Sequence, residues 1–155
     1  MLFQPIEEKI AERGLIENYA SKTNAKVIKL QKDQDNGDTD GIIERNGKEI
    51  CVEARRKGFP NHSGWTSDKF KEGWDSSCLR SGIYINERTI RNYTDKGFEY
   101  AVEINGFKGS KTRAATIDST MIDTLLKQPR NMVKSTNSCN YQSVKTVPLE
   151  WFKEI

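Results

Sequence analysis

The chain has 155 residues, 25 Lys and Arg against 22 Asp and Glu, a formal net charge of +3 and a mean hydropathy of −0.76. That length predicts one domain, residues 1–155, with a core of its own. No run of about 18 apolar residues exists, so no membrane span is expected, and the start lacks the basic and apolar regions of a secretory signal. Cys51, Cys78 and Cys139 are odd in number and show no CxxC spacing. They argue against a disulfide framework or a zinc site and predict free thiols in a reducing cytoplasm. His62 is the sole histidine, which excludes histidine-metal nucleases and deaminases. It is expected to be an exposed loop residue.

The pattern predicts a helix over residues 5–23. Pro5 suits its first turn, and Ile6, Ile10, Leu15, Ile16, Tyr19 and Ala20 form an apolar stripe. Val27–Leu30 reads as a strand and 32–38 as a polar loop. A hairpin follows over 40–56, then a loop with Pro60 and a helix from Trp65 to Leu79. Ile83–Ile90 and Phe98–Ile104 alternate as strands. Gly106–Gly109 turns the chain and Arg113–Ile117 returns. Asp118 caps a helix over Ser119–Leu126. Residues 130–143 read as loop, Val144–Val147 as a last strand, and Trp151-Phe152 as a core anchor. The order αβββαβββα predicts an α/β domain with a mixed β-sheet flanked by helices.

The hairpin carries the chemistry. Asn46-Gly47 favours a two-residue type I′ turn. With that tip, Arg45 pairs with Lys48, Ile43 with Ile50, and Asp40 with Glu53. Ile43, Ile50, Val52 and Ala54 then share a core face, while Asp40, Ile42, Cys51, Glu53 and Arg55 share the other. Opposed residues have Cβ atoms about 4.5–5.5 Å apart. Two carboxylates so close repel unless a cation sits between them, and a divalent metal is the simplest candidate. Mg²⁺, or Mn²⁺, suits an oxygen donor set.

Asp40, the hairpin and Glu53-Ala54-Arg55, preceded by Val27–Leu30 and a polar loop, resemble the PD-(D/E)xK nuclease superfamily, small phage resolvases and VRR-type nucleases among them. Thr39 stands where proline often precedes the aspartate, and Arg55 where lysine is usual. The resemblance covers residues 5–57. It implies a restriction-endonuclease-like fold and Mg²⁺-dependent hydrolysis of DNA phosphodiesters. It further implies Asp40, Glu53 and Arg55 as catalytic residues, the Ala54 carbonyl as a metal ligand, and a supporting helical glutamate, Glu12 or Glu17. A homodimer is expected if both strands are cut. Arg55 also leaves open a catalytically weakened module that binds DNA or a protein partner. Lys69, Lys108, Lys111 and Arg113 are expected to contact nucleic acid. Arg130, Lys134 and Lys145 add charge near the C-terminus.

Overall fold

Asn46 and Gly47 both take positive φ, 54° and 78°, as a type I′ turn requires. The computed structural model describes residues 6–31, 39–58, 83–106, 109–134 and 140–155. In chain order these form α1 (Ile6–Lys22), β1 (Lys26–Leu30), β2 (Gly41–Arg45), β3 (Lys48–Gly58), β4 (Ile83–Asn86), α2 (Glu87–Asn92), β5 (Phe98–Gly106), β6 (Gly109–Ile117), α3 (Ser119–Leu126), β7 (Asn131–Lys134), β8 (Tyr141–Val147) and β9 (Lys153–Glu154). A single 3₁₀ turn, Leu149–Trp151, precedes β9. The expected helix at Trp65–Leu79, His62, Cys78 and Cys139 lie outside the described residues.

The strands make two sheets. The larger has the order β1-β2-β3-β5-β6-β9, the smaller β4-β8-β7. Among the described strands only β3 and β5 run parallel; the other neighbours are antiparallel. In the hairpin Arg45 opposes Lys48, Ile43 opposes Ile50 and Gly41 opposes Val52, so the turn sets the expected register. At the outer edge, the register of β1 against β2 shifts between Val27 and Lys29. Such a bulge, with lysines beside it, discourages a further strand from adding.

The small sheet departs from expectation. The strand anticipated over Ile83–Ile90 stops at Asn86, whose side chain accepts a hydrogen bond from the Arg88 N–H at 2.9 Å. That cap starts α2 and turns Ile90 into the core. Residues 130–143, expected as loop, supply β7 and the start of β8.

Two cores sandwich the large sheet. On one face Leu15, Ile16, Tyr19 and Ala20 of α1 pack on Ile43, Val52, Ala54 and Ala101. On the other, Phe98, Tyr100, Val102 and Ile117 meet Ile85 and Val147 of the small sheet, Ile90 of α2, and Ile122 and Leu125 of α3. Phe152 anchors this second core edge-on to Tyr100, with ring centroids 5.8 Å apart. Ile10, expected in the apolar stripe, is 56% exposed. The inward positions one turn before Leu15 and Ile16 fall at 11 and 12 instead. The architecture is α/β, a mixed sheet with helices on both faces. Among the described residues no helix is long and apolar enough to cross a membrane.

Candidate active site

Asp40 sits immediately before β2, and continuation of the ladder puts it opposite Glu53. Its Oδ2 accepts a hydrogen bond from the Ala54 N–H at 3.0 Å. The preceding loop is pinned by Thr39, whose hydroxyl donates to the Gly41 carbonyl at 2.9 Å and lies 3.3 Å from the Val52 carbonyl. Gly41 lets α1 come close: a Cβ there would meet Ile16 Cδ1 at 3.0 Å and the Lys29 carbonyl at 3.2 Å. Ile16 lies one turn after Glu12, so the same close approach carries Glu12 toward the open end of the hairpin.

The carboxylates form one electrostatic unit. Burial pushes the Glu53 carboxyl well above the usual carboxylate range. The charge of Asp40 and a hydrogen bond shared with it add to the rise, Glu12 contributes further, and the Tyr93 hydroxyl opposes it. That hydroxyl donates to Glu53 Oε1. Tyr93 follows α2, is buried, and stacks on Phe98 with centroids 4.6 Å apart.

Arg55 lies one pleat beyond Glu53 on the same face. Its Nη1 donates to the Tyr84 carbonyl of β4 at 2.9 Å, and the Tyr100 hydroxyl donates to the same oxygen at 2.9 Å. Burial raises the Tyr100 hydroxyl to about 12, while the neighbouring Arg55 charge works against this. Arg56 turns to the opposite face and pairs with Glu103 at 2.9 Å.

The other expected site residues divide. Glu12 is half-buried and its charge reaches Glu53, whereas Glu17 is exposed. Arg113 is half-buried on the same cross-sheet row as Arg55, since Arg55 pairs with Val102 and Val102 with Arg113. Two strand spacings make that roughly 10 Å. Lys69, Lys108 and the side chain of Lys111 lie outside the described residues. Lys145, expected only to add charge near the C-terminus, is 3% exposed. Its Nζ donates to the Gln128 carbonyl at 2.8 Å and pairs with Glu87 at 3.1 Å, so it braces the small sheet.

Among the described residues no three His, Cys, Asp or Glu side chains gather closely enough to hold a metal ion by themselves. The donor set nevertheless fits a hard cation. Two carboxylates stand together against their repulsion. The N–H and C=O of one strand residue point to the same neighbour, so the Ala54 carbonyl is directed to the side of β3 where Asp40 sits. Mg²⁺ completes its shell with water and needs few protein ligands. Comparison of this chain with protein-family models, with curated proteins and with solved structures finds no match.

Proposed function

We propose that this chain is a divalent-metal-dependent endonuclease of restriction-endonuclease-like fold that hydrolyses phosphodiester bonds in DNA. The observation that carries the reading is the pairing of Asp40 with Glu53 at the mouth of the hairpin, with Arg55 one pleat away on the same face. Asp40, Glu53 and the Ala54 carbonyl would hold Mg²⁺ or Mn²⁺, with Glu12 in support. When bound, the ion lowers the pKa of a ligated water and offsets charge building on the phosphate.

The remaining work falls to the chain itself. The Ala54 N–H and the Thr39 contacts hold Asp40 in place before any ion arrives. Tyr93 holds Glu53 in place from the other side. Arg55, fixed through Tyr84, presents a permanent charge to the scissile phosphate. An arginine does not readily release a proton, so its part is to bind and orient.

Tyr93→Phe removes one hydroxyl and keeps the ring packing. It is expected to weaken Mn²⁺ binding roughly 10-fold or more, the scale for partners that orient metal ligands. Isothermal titration with Mn²⁺ reads this directly, and unchanged affinity would deny Tyr93 the positioning role.

Nicking of supercoiled plasmid tests the function. The wild type is expected to nick in Mg²⁺ or Mn²⁺ and to stop in EDTA, and Asp40→Asn to nick at least about 10²-fold more slowly. Equal nicking by both proteins would refute the assignment. The arginine at position 55 keeps a second reading in view, a binding module with weakened chemistry. DNA binding that falls steeply with salt, in a wild type that never nicks, would establish it.

A further inference from the structure

From Thr124 to Leu149 the sequence has no acidic residue, although the chain holds 22. The same span carries Lys127, Arg130, Lys134 and Lys145. Lys145 is buried and paired with Glu87, while Lys127, Arg130 and Lys134 are exposed. Among the described residues no carboxylate forms an ion pair with those three.

They do not stand alone. Arg130 directly precedes β7, and alternation along that strand puts Arg130, Met132 and Lys134 on one face. Lys134 opposes Tyr141 in the ladder, so Tyr141 shares that face. Tyr141 is 61% exposed and Met132 42%. Arg130 to Lys134 spans about 13 Å of extended chain. Lysines alone would blunt an edge strand such as β7. An exposed aromatic ring and a methionine between the cations would not serve that end. A second copy of the chain would bring the same cations against this stripe, which disfavours self-association here. The small sheet also reaches the candidate site, because its strand β4 provides the carbonyl that holds Arg55.

We propose that the β7–β8 ribbon binds single-stranded DNA, with Tyr141 stacked on an unpaired base and Arg130 and Lys134 on the flanking phosphates. A base within a duplex offers no face to such a ring, whereas an unpaired one does. The inference rests on DNA being the substrate of the proposed nuclease. It adds that the substrate has an unpaired segment beside the cut.

The test is fluorescence anisotropy of the full chain in EDTA, with a labelled 20-nucleotide single strand and a duplex of the same length. Tyr141→Ala is expected to weaken single-strand binding about 5- to 100-fold, the effect of one lost base stack, while Tyr141→Phe stays within about twofold. Arg130→Gln with Lys134→Gln should flatten the slope of log K against log salt by about 1.4, at about 0.7 per single-strand phosphate. Single-strand binding unchanged in Tyr141→Ala, or an unchanged slope in the double variant, would overturn the proposal. Binding is read without metal, so a wild type that binds single strands through Tyr141 yet never nicks refutes the nuclease and keeps the ribbon. Nicking with Tyr141→Ala binding unaltered does the reverse.

Discussion

Glu53→Gln is expected to make the metal-free protein more stable while it slows DNA nicking about 10²- to 10³-fold. Glu53 is crowded by Asp40 and, more distantly, by Glu12, and burial strips its carboxylate of solvent. Glutamine keeps the shape and can still accept from Tyr93, but carries no charge. Sparing the fold a buried carboxyl that must either hold its proton above the ordinary range or ionise beside Asp40 is worth about 1–3 kcal/mol. At about 2–4 °C per kcal/mol for a chain of this size, the rise in Tm is several degrees. Activity moves the other way because the same charge is what would hold the cation. A site that stores repulsion until its ligand arrives trades stability for function.

The pH dependence follows from the sign of the shift. The Glu53 carboxyl is raised in the folded protein above its ordinary value of 4.5. Above pH 4.5 the unfolded chain gives up this proton while the folded chain retains it. The folded state then binds more protons, so rising pH destabilises it until the folded carboxyl has also ionised. In EDTA the Tm gap between Glu53→Gln and wild type should therefore widen from pH 5 to pH 8. Mg²⁺ should narrow it, and more at pH 8 than at pH 5, because only the ionised pair would bind the proposed ion. Differential scanning calorimetry at the two pH values checks this. A Glu53→Gln protein no more stable than wild type at pH 8 in EDTA would mean that the carboxylates are already compensated.

The part of this site that sequence revealed is the part that a turn dictates. Asn46-Gly47 admits one register, and that register alone aligns Asp40 with Glu53. The supports of the pair come from elsewhere in the chain. Tyr93 follows a six-residue helix that the strand expected over Ile83–Ile90 concealed, because only Ile83 and Ile85 alternate and Asn86 acts as a cap only once its side chain turns back on Arg88. Tyr84 contributes a backbone carbonyl, which has no signature in sequence. Strand β7 was hidden for a different reason. Its exposed face carries Arg130, Met132 and Lys134, and only Val133 turns partly inward, so four residues give no apolar pattern. Asp118, by contrast, was legible as a cap, and its Oδ1 accepts from the Met121 N–H at 2.9 Å. Local chemistry reads directly; contacts that close across the sheet do not.

Arg45→Ala should cost about 3–5 kcal/mol of stability. Pairing with Lys48 gave Arg45 no evident role, but its side chain crosses β3 to reach β5. Nη1 lies 2.9 and 3.1 Å from the two Glu99 oxygens. Nε donates to the Thr23 carbonyl at 3.0 Å and Nη2 to the Thr23 hydroxyl at 2.6 Å. The guanidinium carbon lies 5.7 Å from the centre of the Tyr19 ring, and the Tyr19 hydroxyl donates to Glu99 Oε1. Glu99 is 5% exposed. Without the arginine it stays buried with only the Tyr19 hydroxyl on it, and breaking a buried pair by removing one partner is what makes such losses large. Lysine in its place keeps the charge but lacks the fork that spans Glu99 and Thr23 together, so Arg45→Lys should recover only part of the loss. Replacing both partners, Arg45→Met with Glu99→Met, removes the stranded carboxyl and should lie closer to wild type than Arg45→Ala alone. Urea denaturation of the three variants measures the series, and an Arg45→Ala protein within 1 kcal/mol of wild type would show that the clamp holds little. The network also ties the C-terminal end of α1 to β2 and β5, on the helix that carries Glu12. Its loss should therefore weaken Mn²⁺ binding at the proposed site, whose carboxylates it never touches.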